Sequence, residues 1–148
     1  MKKLAIILIS AIACTSLQAQ APQVSFDHMA LVVTDLDKSI EFYTKALGFK
    51  KIDDPTGNEL IDWVENEAGL QIHFLQGNTS EIRFTKSVHL SFNVDALHPF
   101  ITNLDQHEVA YESWEGEPSK VTIRPDGVRQ IYFQDPDGYW IELNDRSN

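Results

Sequence analysis

The sequence predicts an α+β fold built from two tandem modules, each with the element order β-α-β-β-β. Three observations support this prediction. Two segments open alike, with a histidine at the start of an apolar strand pattern, over residues 28–33 and 89–94. A helical pattern follows each opening, and short strand patterns follow each helix. Self-similarity of this kind indicates a repeated structural unit.

The first 21 residues are expected to be a signal peptide that precedes the fold. Lys2 and Lys3 come before an apolar run over residues 4–13, and Ala19-Gln20-Ala21 offers small residues for cleavage. The run is too short for a permanent membrane helix, which needs roughly 20 residues. We therefore expect an exported protein, periplasmic or extracellular, whose folded domain covers residues 24–146.

The only cysteine, Cys14, lies within this first segment. Disulfides and thiol catalysis are therefore not expected in the mature chain. Residues 11–14 also loosely resemble a bacterial lipoprotein cleavage site, so the alternative to release is a lipid anchor at Cys14. Without that anchor, no membrane association is expected.

Composition and charge narrow the classes of partner. The formal net charge is −10, with 12 basic and 22 acidic residues, and the basic residues form no patch. Nucleic acid is therefore not an expected partner. Hydrophobic residues make up 43% of the chain and aromatic residues 10%, which indicates a folded core.

The first module has recognisable helix ends. Apolar residues recur at helical spacing from Leu36 to Leu47. Thr34, Asp35 or Asp37 can cap the start of this helix, and Gly48 can end it. The strands of the module are predicted over residues 28–33, 49–52, 60–65 and 70–75, with turns at 53–58 and 65–69.

The second module repeats the pattern after a linker over residues 77–86. Its helix runs from Leu97 to Leu104, with Asp95 as the expected cap and Pro99 in the first turn. Its strands are predicted over residues 89–94, 109–112, 120–123, 128–134 and 139–143, and residues 135–138 form a compact turn.

Four polar side chains occupy equivalent places in the two modules. His28 and His89 open the first strands, while His73 and Glu142 each follow an isoleucine in the last strands. Strand side chains alternate between faces, so these four should share the face opposite their apolar neighbours. A lone strand histidine is usually only a hydrogen-bonded residue, but two at one register of a repeat, together with a glutamate, favour metal ligation.

The donor types restrict the metal. Imidazole nitrogen and carboxylate oxygen suit one divalent transition ion, namely Zn²⁺, Ni²⁺, Co²⁺, Fe²⁺ or Mn²⁺, whereas Ca²⁺ requires more oxygen. His28, His89 and Glu142 are the stronger ligand candidates. His73 is also predicted as a ligand, with a supporting or substrate-facing role as its alternative.

At these residues the chain resembles the vicinal oxygen chelate superfamily, which includes glyoxalase I, bleomycin resistance proteins and extradiol dioxygenases. The likeness covers residues 26–145. Its most specific parts are the opening strand with residues 35–43, the helix end at residues 47–49 and the segment 135–142. The resemblance implies a metal-centred cleft between modules, ligands on the first and last strand of each, and a homodimer. Glyoxalase I usually has a glutamate where His73 stands, so the reaction stays open.

Three functions follow from the resemblance. The first is a metal-dependent lyase or isomerase, similar to lactoylglutathione lyase, that stabilises an enolate or oxyanion of a small substrate with Glu142 as the catalytic base. The second is a small-molecule binding protein of the bleomycin-resistance type, without turnover. The third is an Fe²⁺ extradiol dioxygenase that uses two histidines and one carboxylate. Candidate substrate contacts are Trp63, Arg83, Tyr132 and Trp140.

Overall fold

The computed structural model describes residues 23–146 of the 148-residue chain. The expected signal peptide and Cys14 lie outside the described residues. The first module comprises β1 (His28–Val33), α1 (Leu36–Leu47), β2 (Lys50–Ile52), β3 (Ile61–Glu65) and β4 (Gln71–Gln76). The second comprises β5 (His89–Asn93), α2 (Leu97–Gln106), β6 (Tyr111–Glu112), β7 (Thr122–Ile123), β8 (Arg129–Gln134) and β9 (Trp140–Asn144). The predicted α+β fold class with tandem modules is confirmed.

Each module forms its own mixed sheet, and the two sheets have the same connectivity. The first has the order β1-β4-β3-β2 and the second β5-β9-β8-β6, with the short β7 paired to β8 as an addition. In both sheets the first strand pairs in parallel with the last strand of the module. The opening histidine of each module therefore lies beside the strand that carries the other predicted donor.

The two helices begin differently. Asp35 is the N-cap of α1, and its carboxylate accepts a hydrogen bond from the Lys38 backbone N–H at 3.1 Å. Gly48 ends α1 in the left-handed region, at φ 75°, as predicted. The predicted cap of α2 is wrong, because Ala96 and not Asp95 is the N-cap residue, and the cap position makes no side-chain hydrogen bond. Asp95 lies one residue before the N-cap position, so its side chain does not cap the helix.

The helices and the inner faces of both sheets form one hydrophobic core. Tyr43 of α1 packs on Phe74 of β4, with ring centroids 4.9 Å apart, and Phe42 approaches Phe133 of β8 at 6.3 Å. Alternate strand residues such as Leu31, Ile72, Ile131 and Ile141 point into this core and are almost fully buried. The other set of alternate residues therefore lies on the outer face of each sheet.

The turn between β8 and β9 joins the two modules. The Tyr43 hydroxyl donates to Asp135 at 3.1 Å, and the Thr34 backbone N–H donates to Asp137 at 2.9 Å. The hydroxyl of Tyr139 donates to the Val32 carbonyl at 3.0 Å. Burial raises the pKa of the Asp135 carboxyl to about 6, although hydrogen bonds from the Tyr139 backbone and from Tyr43 oppose the rise.

Among residues 23–146, no helix has the length and apolar character needed to cross a membrane.

Candidate functional site

Glu142 lies on the outer face of the second sheet, yet its carboxylate is almost fully enclosed. One oxygen, Oε1, accepts hydrogen bonds from the Ser91 hydroxyl at 3.0 Å and from the Asn144 amide at 2.8 Å. The other, Oε2, accepts from the Tyr132 hydroxyl at 2.7 Å and lies 3.2 Å from Nε2 of His89. Burial opposes ionisation, but these bonds outweigh it and hold the pKa of Glu142 below its usual value. The carboxylate is therefore ionised near neutral pH.

His89 is oriented by the backbone of the preceding turn. Its Nδ1 lies 2.7 Å from the carbonyl oxygen of Lys86. A carbonyl oxygen can only accept a hydrogen bond, so Nδ1 carries the hydrogen. The other ring nitrogen, Nε2, is thereby directed toward Glu142.

This arrangement places His89 and Glu142 where they could share a cation. Without a proton or a metal, the lone pair of Nε2 would point at a negatively charged carboxylate oxygen 3.2 Å away, and the two would repel each other. A proton on Nε2 removes this repulsion, and so does a metal ion bound by both groups. A histidine whose Nδ1–H is held by a carbonyl and whose Nε2 is free is also the usual form of a metal-binding histidine. The residues present fit a metal.

His28 and His73 meet on the outer face of the first sheet. Their rings are in edge contact, with centroids 4.9 Å apart. Nδ1 of His28 bonds to the Asp27 carboxylate at 2.5 Å, which again leaves Nε2 free. Nδ1 of His73 is buried and has no hydrogen-bond partner. Burial lowers the pKa of His73, and the neighbouring His28 adds to the effect, so the neutral imidazole is favoured.

Trp63 closes one side of this pair of histidines. Its ring centroid lies 4.5 Å from that of His73 and 5.1 Å from that of His28. The indole N–H donates to the Asp54 carboxylate at 3.0 Å. Two backbone N–H groups of the same loop, those of Thr56 and Asn58, also donate to Asp54, so the loop between β2 and β3 holds the indole in place.

The structure thus brings the four predicted donors together in two pairs. We call His28 and His73 the first donor pair, and His89 with Glu142 the second donor pair. Each lies on the outer face of its own sheet, on the side away from the shared core. Within the described part of one chain, no group of three or more histidine, cysteine or acidic side chains is arranged to hold a metal. Their role as ligands remains a prediction.

The predicted substrate contacts fall into two groups. Trp63 touches the first donor pair, and Tyr132 contacts both members of the second, with its ring centroid 5.6 Å from that of His89. Trp140 lies beside these on β9, next to the Lys86 ammonium group. Arg83 is exposed in the segment that joins the modules. Sequence reasoning therefore identified the aromatic surroundings of both pairs.

Several supporting residues were not predicted. Ser91 and Asn144 hold the Glu142 carboxylate, and the Gln130 amide donates to the Tyr132 hydroxyl at 2.6 Å. Two of them could have been found from strand alternation, because residues two apart in a strand share a face. Ser91 lies two residues after His89, and Asn144 lies two residues after Glu142. The role of the Lys86 carbonyl had no such signal, since it depends on the shape of a turn.

Comparisons with known proteins identify the family of the chain. The model of the glyoxalase/bleomycin resistance protein/dioxygenase superfamily matches residues 25–143. Uncharacterized protein YwbC of Bacillus subtilis is 30% identical over 126 residues, which cover 81% of this chain and 96% of that protein. Glyoxylase I 4 of Arabidopsis thaliana is 27% identical over 128 residues, which cover 80% of this chain and 69% of that protein.

A solved structure shows the same fold. The genomically encoded fosfomycin resistance protein FosX of Listeria monocytogenes superposes with a TM-score of 0.68, at 20% identity, over 85% of this chain and 96% of that chain. This likeness concerns the fold alone. Members of the matched superfamily generally depend on a metal and are commonly dimers that bind small molecules. From the span of the family match and the likeness to YwbC, the chain belongs to the glyoxalase/bleomycin resistance protein/dioxygenase superfamily.

Proposed function

We propose that this protein is a metal-dependent lyase or isomerase of the glyoxalase class, acting on a small molecule with two neighbouring oxygen atoms. One observation carries the proposal. Two donor pairs lie at equivalent places on two sheets, with Trp63 against the first and Tyr132 against the second, and Nε2 of His89 lies 3.2 Å from Glu142, where a cation could be shared. The likeness to Glyoxylase I 4 supports the reaction class.

We place the complete site between two copies of the chain. The helices and the inner faces of both sheets share one core, and the two donor pairs lie on the opposite faces of the sheets, away from that core. A four-donor set forms when the first pair of one copy meets the second pair of another. Exposed apolar side chains support contact there, because Phe26, two residues before β1, and Val88, directly before β5, are 63% and 74% exposed. A twofold dimer would contain two such sites.

The donors suit the chemistry of the proposed reaction. A divalent transition metal held by them would supply a Lewis acid toward a substrate oxygen. Glu142 is ionised and can accept a proton from carbon, while the Tyr132 hydroxyl at 2.7 Å keeps a hydrogen bond to the same carboxylate. The rings of Trp63 and Tyr132 would limit access of water to the reacting atoms.

The composite site is tested with two variants, His28→Gln and Glu142→Gln. Each variant alone should lose tightly bound metal, measured by elemental analysis of protein purified without chelator. When the two are co-expressed, one of the two sites in each mixed dimer recovers both intact donor pairs. Metal content should then return to about one quarter of the wild-type value, because about half of the dimers are mixed.

The control is a single chain that carries both substitutions and is expressed alone. It leaves no intact site in any combination and should hold no metal. If co-expression of the two single variants restores no bound metal, although mixed dimers form, the proposal of a composite site is wrong. If either single variant keeps its full metal content, that residue is not a ligand.

The reaction is tested on the metal-loaded protein. With the hemithioacetal of methylglyoxal and glutathione, or of a smaller thiol, we expect a thioester product, and Glu142→Gln should abolish its formation. If the protein binds its full content of metal but converts none of these adducts, the proposed enzyme activity is contradicted and a binding protein is favoured. Ring cleavage of catechols by the Fe²⁺ form would instead favour a dioxygenase.

We also propose that the protein acts outside the cytoplasm. The support is the amino-terminal sequence, in which Lys2 and Lys3 precede an apolar run and small residues. Amino-terminal sequencing of protein recovered from cell fractions tests it. Exported protein that begins within a few residues of position 22 is expected, and intact protein confined to the cytoplasm would contradict export.

A further inference from the structure

Lys86 lies in a tight turn directly before the second donor pair. The turn spans residues 85–88, and the Val88 backbone N–H donates to the Thr85 carbonyl at 2.8 Å. The Ser87 N–H also points to the Thr85 hydroxyl, at 3.4 Å. The Lys86 carbonyl is thereby left outside the sheet ladders and accepts the hydrogen bond from Nδ1 of His89 at 2.7 Å.

The ammonium group of Lys86 is held by hydrogen bonds and an ion pair. Its ammonium group donates to the carbonyl of Ser113 at 3.0 Å and to that of Trp114 at 3.2 Å, and it forms an ion pair with Glu112. An ammonium group has three hydrogens, and these three acceptors account for all of them. The side chain is only 16% exposed. Lys86 therefore has no hydrogen left for a substrate, which excludes a role as an anion-binding group.

Lys86 thus joins two segments that are distant in sequence. Its backbone contacts the second donor pair, and its side chain reaches β6 and the loop after it. The ammonium group also lies 4.9 Å from the centre of the Trp140 ring, on β9. The peptide unit that aims His89 is consequently held from both sides, by the turn and by the loop. A single exposed turn without this attachment would leave the carbonyl free to rotate.

We propose that Lys86 is a positioning residue, whose side chain fixes the direction of its own carbonyl and through it the direction of Nε2 of His89. This inference rests on the proposed metal-binding function and deepens it. Groups that orient metal-binding histidines typically change metal affinity by 10-fold to 100-fold when they are removed. The Lys86 ammonium group does not itself contact His89 and acts only through the backbone carbonyl, so the effect should lie near the lower value.

The test uses Lys86→Met, which keeps the apolar length of the side chain and removes the ammonium group. In the metal-free wild-type protein, the hydrogen-bonded Nδ1–H of His89 should give a slowly exchanging imidazole proton resonance by NMR, assigned by its loss in His89→Gln. In Lys86→Met this resonance should exchange at least about 10-fold faster, and the affinity for Co²⁺ should fall about 10-fold.

The matched control is Lys51→Met. Lys51 also forms an ion pair, with Asp62 at 2.7 Å, but it lies on the edge strand β2 of the other module. It should leave both readouts unchanged. If Lys86→Met does not fold, Glu112→Gln weakens the same attachment while keeping both carbonyl contacts, and it should shift both readouts in the same direction.

A Lys86→Met protein that keeps the wild-type exchange rate of the His89 proton and binds Co²⁺ within about twofold of the wild type would overturn the positioning role. The proton readout needs no metal, so it is independent of the proposed function. If wild-type protein binds no Co²⁺, the proposed function fails, and the exchange rate alone still decides whether Lys86 positions His89.

Discussion

At the scale of single residues, Glu142 shows how a buried carboxylate is kept ionised. Its side chain is 9% exposed, and burial alone would favour the protonated form. Hydrogen bonds from Tyr132, Asn144 and Ser91 supply the donors that water would otherwise provide. Together they keep the carboxylate negatively charged, which the proposed binding of a cation requires.

Replacing Tyr132 by Phe should destabilise the protein by about 2 kcal/mol. The substitution removes the hydroxyl that donates to Glu142 and leaves the buried Gln130 amide without its acceptor, so two polar groups lose a partner. The free energy of unfolding from urea titration measures the effect.

The control for this substitution is Tyr111→Phe. The Tyr111 hydroxyl makes one long contact, 3.5 Å, with the Ser119 carbonyl. Its loss should change the free energy of unfolding by less than about 0.5 kcal/mol. Equal effects of the two substitutions would show that the hydrogen bonds around Glu142 contribute nothing specific to stability.

At the scale of secondary structure, the two helices differ in how their first turns are satisfied. In α1 the Asp35 carboxylate accepts a backbone hydrogen bond, whereas in α2 the cap position holds Ala96, which has no acceptor. The first N–H groups of α2 therefore depend on water. The backbone of Ala96 is extended, with φ −152° and ψ 133°, which is the conformation that capping side chains require.

Ala96→Ser should therefore stabilise the protein by about 1 kcal/mol, because the serine hydroxyl can accept a hydrogen bond from the first turn of α2. Thermal and urea unfolding measure the gain. Asp95→Ala serves as the control and should change the free energy of unfolding little, since Asp95 lies outside the cap position. A loss of stability in Asp95→Ala as large as a capping bond would contradict this view of the helix start.

Most elements were predictable from the sequence because their signals are local. Apolar periodicity, the Asp35 cap and Gly48 define α1, and the predicted strands agree with the observed ones to within about two residues. The cap of α2 was mispredicted because both Asp95 and the alanine after it precede the helix, and the side chain alone does not decide where the first turn begins. Tertiary packing of Leu97 and Leu104 sets that register.

At the scale of the whole molecule, Asp135 holds the modules together and is also a titratable group. It accepts the Tyr43 hydroxyl of the other module at 3.1 Å and three backbone N–H groups of its own turn. Its pKa is raised from 3.8 to about 6, chiefly because it is buried. The contact between the modules is therefore sensitive to pH.

The stability supplied by Asp135 should fall as the pH rises. Because its pKa is higher in the folded protein, the folded state binds the proton more tightly than the unfolded chain does. The contribution is complete below pH 3.8 and is lost as the pH rises through about 6. Compared with Asp135→Asn, which cannot titrate, the wild-type protein should lose up to about 3 kcal/mol between these limits.

Urea unfolding at a series of pH values between 3.5 and 7 measures this difference, at roughly half-unit steps. Asp53→Asn, in an exposed loop, is the control and should follow the wild-type curve. Parallel curves for the wild type and Asp135→Asn would contradict the raised pKa.

The sequence predicted which side chains are candidate donors but not how the fold arranges them. Repetition identified four donors at equivalent strand positions, because equivalence is visible in the sequence. The donors form two separate pairs because of the way the faces of the two modules pack together. This packing depends on contacts between residues that are distant in the sequence, such as Tyr43 and Asp135. Neither strand alternation nor spacing contains this information.

The parallel pairing of first and last strands also has a kinetic consequence. His28 lies opposite Gln71, about 43 residues later, and Ser91 reaches Glu142 across 51 positions. Long loops must therefore close before either donor pair exists, and such closure is slow compared with helix formation. An unfolded or half-synthesised chain carries only scattered donors, so metal capture should follow folding and stabilise only the finished protein.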